Sequence, residues 1–143
     1  MKTIFPYILI SILVLAGGAI FEWVRLRKFW VRTCTGRMWK KKYPKVSKDE
    51  IRQFLDYFID AFAFSPARRL CFRPDDRIID VYRARYPFPT IMADQMEMER
   101  FLLMLDEHYH VDLLPFWRED VTLADLFELT HQLVPNKSAH TTA

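Results

Sequence analysis

The sequence predicts an all-α protein: a single N-terminal transmembrane helix followed by a small three- or four-helix bundle with a long first loop. Three observations predict it. Residues 4–21, IFPYILISILVLAGGAIF, contain no charged side chain. From Ser47 onward, apolar residues recur at helical spacing in three separate stretches, with no β-hairpin signal and no internal repeat. The charge is also divided. Residues 1–48 hold eleven Lys/Arg against one acid, Glu22, for a net +10, whereas residues 49–143 hold ten against seventeen, for a net −7. A chain of 143 residues has room for one small domain beside a membrane segment. The expected division is an anchor over 1–24, a basic and aromatic segment over 25–46, a helical domain over 47–134 and a disordered tail over 135–143.

Eighteen residues at helical rise span roughly 27 Å, enough for the hydrocarbon core when flanking side chains reach outward. Pro6 falls in the first turn, where its missing N–H costs little, and Gly17 and Gly18 are tolerated in membrane helices. A cleaved signal peptide is the alternative, with Lys2 as a positive start and Gly17-Gly18-Ala19 as small residues before a cut. Against cleavage stand Arg25, Arg27, Lys28, Arg32, Arg37, Lys40, Lys41, Lys42, Lys45 and Lys48, with no acid among them. Such a block resists translocation and holds its flank in the cytoplasm. The expectation is a retained anchor with the C-terminal domain inside.

The bridge RLRKFWVRTCTGRMWKKKYPK interleaves cations with Phe29, Trp30, Trp39 and Tyr43. Continued as a helix that Gly36 would end, it places Arg25, Lys28 and Arg32 on one face and Leu26, Phe29, Trp30 and Thr33 on another. Cations next to rings suit nucleic acid or anionic lipid headgroups. Directly after a membrane span, lipid needs no second assumption. Arg25, Arg27, Lys28, Arg32, Lys40, Lys41 and Lys42 are the candidate headgroup contacts, and no nucleic-acid partner is expected.

In SKDEIRQFLDYFIDAFA, Ser47 and Glu50 form a capping box, and Ile51, Phe54, Leu55, Phe58, Ile59 and Phe62 make one apolar face. Ser65-Pro66 ends this helix near Phe64. The long connection to Met92 should fold back onto the core through Leu70, Phe72, Ile78, Ile79, Val81 and Tyr82, with Asp75-Asp76 as a turn starter after Pro74. Asp94-Gln95-Met96-Glu97 opens a second helix whose inner face is Met98, Phe101, Leu102, Leu105 and Tyr109. Glu97, Arg100, Glu107 and His108 are left toward solvent. Val111 and Leu113 should insert into the core, with a short turn over 116–120. Thr122 and Asp125 then cap a last helix facing inward through Leu123, Leu126, Phe127, Thr130 and Leu133.

This order of caps, stripe, exit and last helix resembles the acyl carrier protein fold over residues 47–134. The resemblance is strongest from Asp94 to Leu133. Asp94-Gln95-Met96-Glu97 stands where carriers have D-S-L-[DE], Tyr109-His110-Val111-Asp112-Leu113 at the exit, and Val121-Thr122-Leu123 before the last helix. RPDDRIID is similar to the loop before the motif, and RYPFPTIMA looks inserted. The carrier serine bears phosphopantetheine; Gln95 is a degenerate attachment position with no hydroxyl, so no cofactor is expected. The chain is therefore more similar to divergent acyl-carrier-like proteins of unknown function from enteric bacteria, several of which lack that serine, than to working carriers. The resemblance implies a non-catalytic interaction module at the bacterial inner membrane. Its contacts to an unidentified protein partner would be Asp94, Glu97, Asp106 and Glu107 on the acidic helix. Two alternatives stay open: a working carrier modified at an atypical residue such as Thr90, and an exported domain after cleavage.

No other chemistry is expected. His108 and His110, two apart on a helix, point in nearly opposite directions. All three glycines precede the domain, so no phosphate loop exists, and Cys34 and Cys71 lie in no nucleophile setting. Neither a metal site nor an enzyme is anticipated.

Overall fold

The computed structural model describes residues 4–86 and 96–133. Its helices among those residues are α1 (Ile4–Trp30), α2 (Gly36–Lys42), α3 (Lys48–Ala61), α4 (Ile78–Arg85), α5 (Met96–Tyr109) and α6 (Leu123–Leu133). Two 3₁₀ turns, Pro66–Cys71 and Leu114–Phe116, complete them. The fold is all-α over the described residues; its β-type pairing there is one isolated antiparallel bridge, Arg77 to Thr122.

With 27 residues, α1 is about 40 Å long. Residues Tyr7–Trp30 are long and apolar enough to cross a membrane, with a mean hydropathy of 2.0 and none of the apolar window packed inside the protein. A membrane anchor and a signal sequence both have this composition. The helix continues past the expected anchor boundary at residue 24, as a helix running on into the bridge would, and stops at Trp30, short of Gly36. Its last two turns enter the domain, where Leu26 and Phe29 are buried at 0% and 1% exposure.

The segment expected as a bridge therefore contributes to the core. Trp39 on α2 is fully buried, and its indole N–H donates to the Phe72 carbonyl at 2.9 Å. Trp30, Tyr43 and Val46 pack against the same cluster. Gly36 begins α2 and does not end α1, which stops at Trp30. The cause is tertiary. Thr35 donates its backbone N–H to the Leu70 carbonyl and its hydroxyl to the Phe72 carbonyl, pinning the chain to the 66–72 segment and reversing it.

The capping box at Ser47 forms as expected, Glu50 N–H donating to the Ser47 hydroxyl and Ser47 N–H to the Glu50 carboxylate, both at 3.1 Å. Ile51, Phe54, Leu55, Phe58, Ile59 and Phe62 are all buried. α3 ends at Ala61, with Phe62 as its C-cap. Ala63 takes a positive φ of 51° while its N–H donates to Asp60 O and the Phe64 N–H donates to Ile59 O. That is a Schellman ending with alanine where glycine is preferred.

The long connection holds a 3₁₀ turn and α4, with Phe72, Ile78, Val81 and Tyr82 buried and Leu70 and Ile79 packed against them. Backbone bonds Ile78 N–H to Val121 O and Leu123 N–H to Asp76 O fasten the start of α4 to the start of α6. α5 buries Met98, Phe101, Leu102 and Leu105, with Tyr109 half-buried, and ends where His110 takes φ 56° and donates to Asp106 O. Val111 and Leu113 insert as expected. Thr122 and Asp125 cap α6 reciprocally, and Leu123, Leu126, Phe127 and Thr130 are fully buried. The described surface does not include the side chain of Leu133.

An alanine in the left-handed region costs about 1–2 kcal/mol, partly offset by the greater unfolded freedom of glycine. Ala63→Gly is expected to stabilise the protein by about 1 kcal/mol. A thermal melt should show a raised Tm, and a lowered one would mean that the Ala63 methyl is packed.

Candidate functional site

Two surfaces carry the residues singled out in the sequence: the junction where α1 joins the domain, and the outward face of α5. At the junction, Arg32 lies just past the end of α1 with 17% of its side chain exposed, and it donates to Asp76 Oδ2 at 2.5 Å. Asp76 is 9% exposed and also accepts the Arg73 N–H at 2.6 Å. The expected turn at Asp75-Asp76 is present, but its second carboxylate serves a partner 44 residues away. The Arg32 guanidinium lies over the Phe29 ring at 5.0 Å. Ring, cation and carboxylate thus fix the end of α1 to the turn that precedes α4.

That placement changes the meaning of several candidate headgroup contacts. Arg32 is an internal residue. Lys40 donates to the Pro44 and Val46 carbonyls at 2.8 and 2.6 Å, closing the end of α2. Lys42 lies 3.4 Å from Glu128 on α6, and Arg25 donates to the Arg83 carbonyl at 2.7 Å. Arg27, Lys28 and Lys41 are exposed, Arg27 over Trp23 and Lys28 over Phe29.

Among the proposed partner contacts, Asp106 and Glu107 are exposed on α5. Glu97 is half-buried beside Tyr86; burial first, and then a hydrogen bond to Glu97, raise that phenol above its ordinary range. Arg100, which interrupts the acidity, pairs with Asp60 on α3 at 3.0 Å. Asp94 and the degenerate attachment position Gln95 lie outside the described residues, as does Thr90.

The sequence reading missed the centre of this face. Leu103 is 65% exposed. Glu99, Asp106 and Glu107 stand four before, three after and four after it, so all share one side of the helix. Beside it runs a groove of about 270 Å³ whose lining includes Asp112 and Leu114, itself 62% exposed. The signal was present in the sequence: Leu103 is a leucine off the buried stripe, between acids at helical spacing.

No family model, no curated protein and no solved structure matches this chain. The assignment of these surfaces therefore rests on their own chemistry. Among the described residues, no group of three or more His, Cys, Asp or Glu could hold a metal ion, and both Cys34 and Cys71 are free. Two phenols are strongly perturbed. Burial pushes the Tyr109 phenol up to about 12. Burial first, then the 2.7 Å bond to Glu128, raise Tyr43 further still.

Truncating one partner of a buried ion pair leaves the other uncompensated, at about 3 kcal/mol. Asp76→Ala should lower the urea midpoint accordingly, whereas Arg118→Ala, which breaks an exposed pair with Asp120, should leave it almost unchanged. Equal effects would place Asp76 at the surface.

The phenols predict an alkaline transition. Both folded-state values exceed the unfolded value of 10.0, so their contribution is complete below pH 10 and is lost as pH rises through about 12 for Tyr109. Denaturant midpoints at pH 9 and pH 11 should diverge, and Tyr109→Phe should reduce the divergence.

Proposed function

We propose that the chain is a membrane-anchored, non-catalytic interaction module that presents an acyl-carrier-like helical domain on the cytoplasmic face of a bacterial inner membrane. In this reading α1 is the retained single-pass anchor. The domain carries no prosthetic arm, because Gln95 replaces the phosphopantetheine serine, and it works by touching an unidentified protein partner.

The observation that carries the reading is Leu103, an exposed leucine among Glu99, Asp106 and Glu107 on one side of α5. An apolar centre inside a charged rim is the arrangement of a protein-contact patch. Opposite charge on the partner would steer the encounter, and the leucine would supply area to bury. Anchoring is supported by the spanning length of α1 and by the block of cations that follows it.

A photocrosslinking residue at position 103 in native membranes tests this. A discrete adduct is expected, lost when Asp106 and Glu107 are reversed to lysine, while the same crosslinker at exposed Gln53 gives none. An adduct insensitive to the charge reversal defeats the docking role. A phosphopantetheine mass on the purified protein would make it a working carrier instead. Alkaline phosphatase activity from a fusion after Ala143 would place the domain outside.

A further inference from the structure

A hollow of about 370 Å³ lies between the start of α2 and the first turns of α3. Four cations line it, Arg37, Lys40, Lys48 and Arg52, and no acid does. Its apolar wall is Ile51 and Leu70. Arg37 and Lys48 are exposed and make no hydrogen bond or ion pair among the described residues. Arg52 has only an exposed pair with Asp49, at 3.2 Å, and Lys40 is held by the backbone carbonyls already described. Two cations without partners thus line one hollow beside a patch of hydrocarbon, which favours an anion with an apolar body there.

The surroundings add to the imbalance. A neighbouring hollow shares Cys34 with the first and is lined by Lys28, Arg32 and Arg73, again without an acid. Arg32 is neutralised by Asp76, but the buried Nε of Arg73 has no hydrogen-bond partner among the described residues. A buried guanidinium N–H left unmade is unfavourable unless a further acceptor arrives.

We infer that the hollow between α2 and α3 binds a phosphate ester with a small apolar body, the phosphate between Arg37 and Lys48 and the hydrocarbon against Ile51 and Leu70. The inference goes beyond the proposed protein-docking role and does not rest on it. The concavity has the volume of a small-molecule site. Nucleic acid fits less well, because no ring lines the hollow on which a base could stack. The same chemistry is offered by a soluble phosphate monoester and by a lipid headgroup.

The test uses the full-length protein in phosphatidylcholine nanodiscs, titrated with hexyl phosphate by calorimetry. Saturable binding is expected, weakened about tenfold or more by Arg37→Gln with Lys48→Gln, since two charge-assisted contacts are lost. Lys41→Gln with Lys45→Gln removes the same charge outside the hollow and should change the affinity less than about twofold. Lys48→Gln alone, at an exposed position in the first turn of α3, gives the same contrast in smaller measure if the double variant misfolds. Equal losses in both pairs, or no saturable heat with hexyl phosphate, would overturn the site. Repeating the titration in phosphatidylglycerol nanodiscs identifies the source. Weaker apparent binding that the hollow variant no longer shows indicates an occupying headgroup, and unchanged binding indicates a soluble ester.

Discussion

The end of the long apolar helix α1 is part of the domain's core, and the domain is organised around it. Leu26 and Phe29 belong to the same helix as the apolar stretch, yet they are buried in the core with Phe58, Phe72 and Trp39. Burying a side chain of that size contributes on the order of 2 kcal/mol. Arg32, one turn further on, could not follow them inward without a counter-charge, and Asp76 supplies it. Because Asp76 also holds the turn before α4 and its carbonyl accepts the Leu123 N–H, the same residue links α1, α4 and α6. Its carboxylate joins Arg32 to the turn before α4, and its backbone carbonyl joins that turn to the last helix.

The contacts along α1 also orient the domain. Arg32 meets Asp76 just before α4, while Arg25 meets the Arg83 carbonyl near the other end of α4. Descending numbers on one helix pair with ascending numbers on the other, so the two run antiparallel. Arg25 lies about 6 Å beyond Phe21 along α1, and the C-terminal end of α4 stands at that level. Arg27 and Lys28 follow at about 9 and 10 Å and are exposed. A domain held by two buried residues and an ion pair does not swing freely about the end of α1, so α4 keeps a fixed direction relative to that helix.

What was legible in the sequence was local. The reciprocal caps Ser47/Glu50 and Thr122/Asp125 need three residues of spacing, and the stripes of α3, α5 and α6 need only a period, so all formed as expected. α4 is eight residues long, too short for a period to declare itself, and its sequence sits between turn signals. The reversal at Thr35 depends on carbonyls 35 and 37 residues away, and the Arg32–Asp76 pair on a partner 44 away. No local pattern contains such information. Trp39 was obscured in another way: a ring beside a run of lysines reads as interfacial until the fold shows it fully buried, with Lys41 and Lys42 left exposed. Of the acidic helix, Asp106 and Glu107 could be read from the chain; Leu103 was legible too, as a leucine off the buried stripe between acids, and its 65% exposure gives that position its weight.

The division of charge, net +10 before residue 49 and net −7 after it, turns out to be a property of one folded body. Arg32–Asp76 and Lys42–Glu128 join the two halves of the chain and cancel part of it where they meet. The remainder is sorted by place: unpaired cations gather around Cys34, between α2 and α3, and unpaired acids gather around Leu103 on α5. Charges separated by more than a screening length of roughly 8–10 Å act almost independently at physiological salt. In the two roles proposed, each face would select its partner by sign, and the apolar element at its centre, Ile51 and Leu70 in one case and Leu103 in the other, would set how much surface that partner buries.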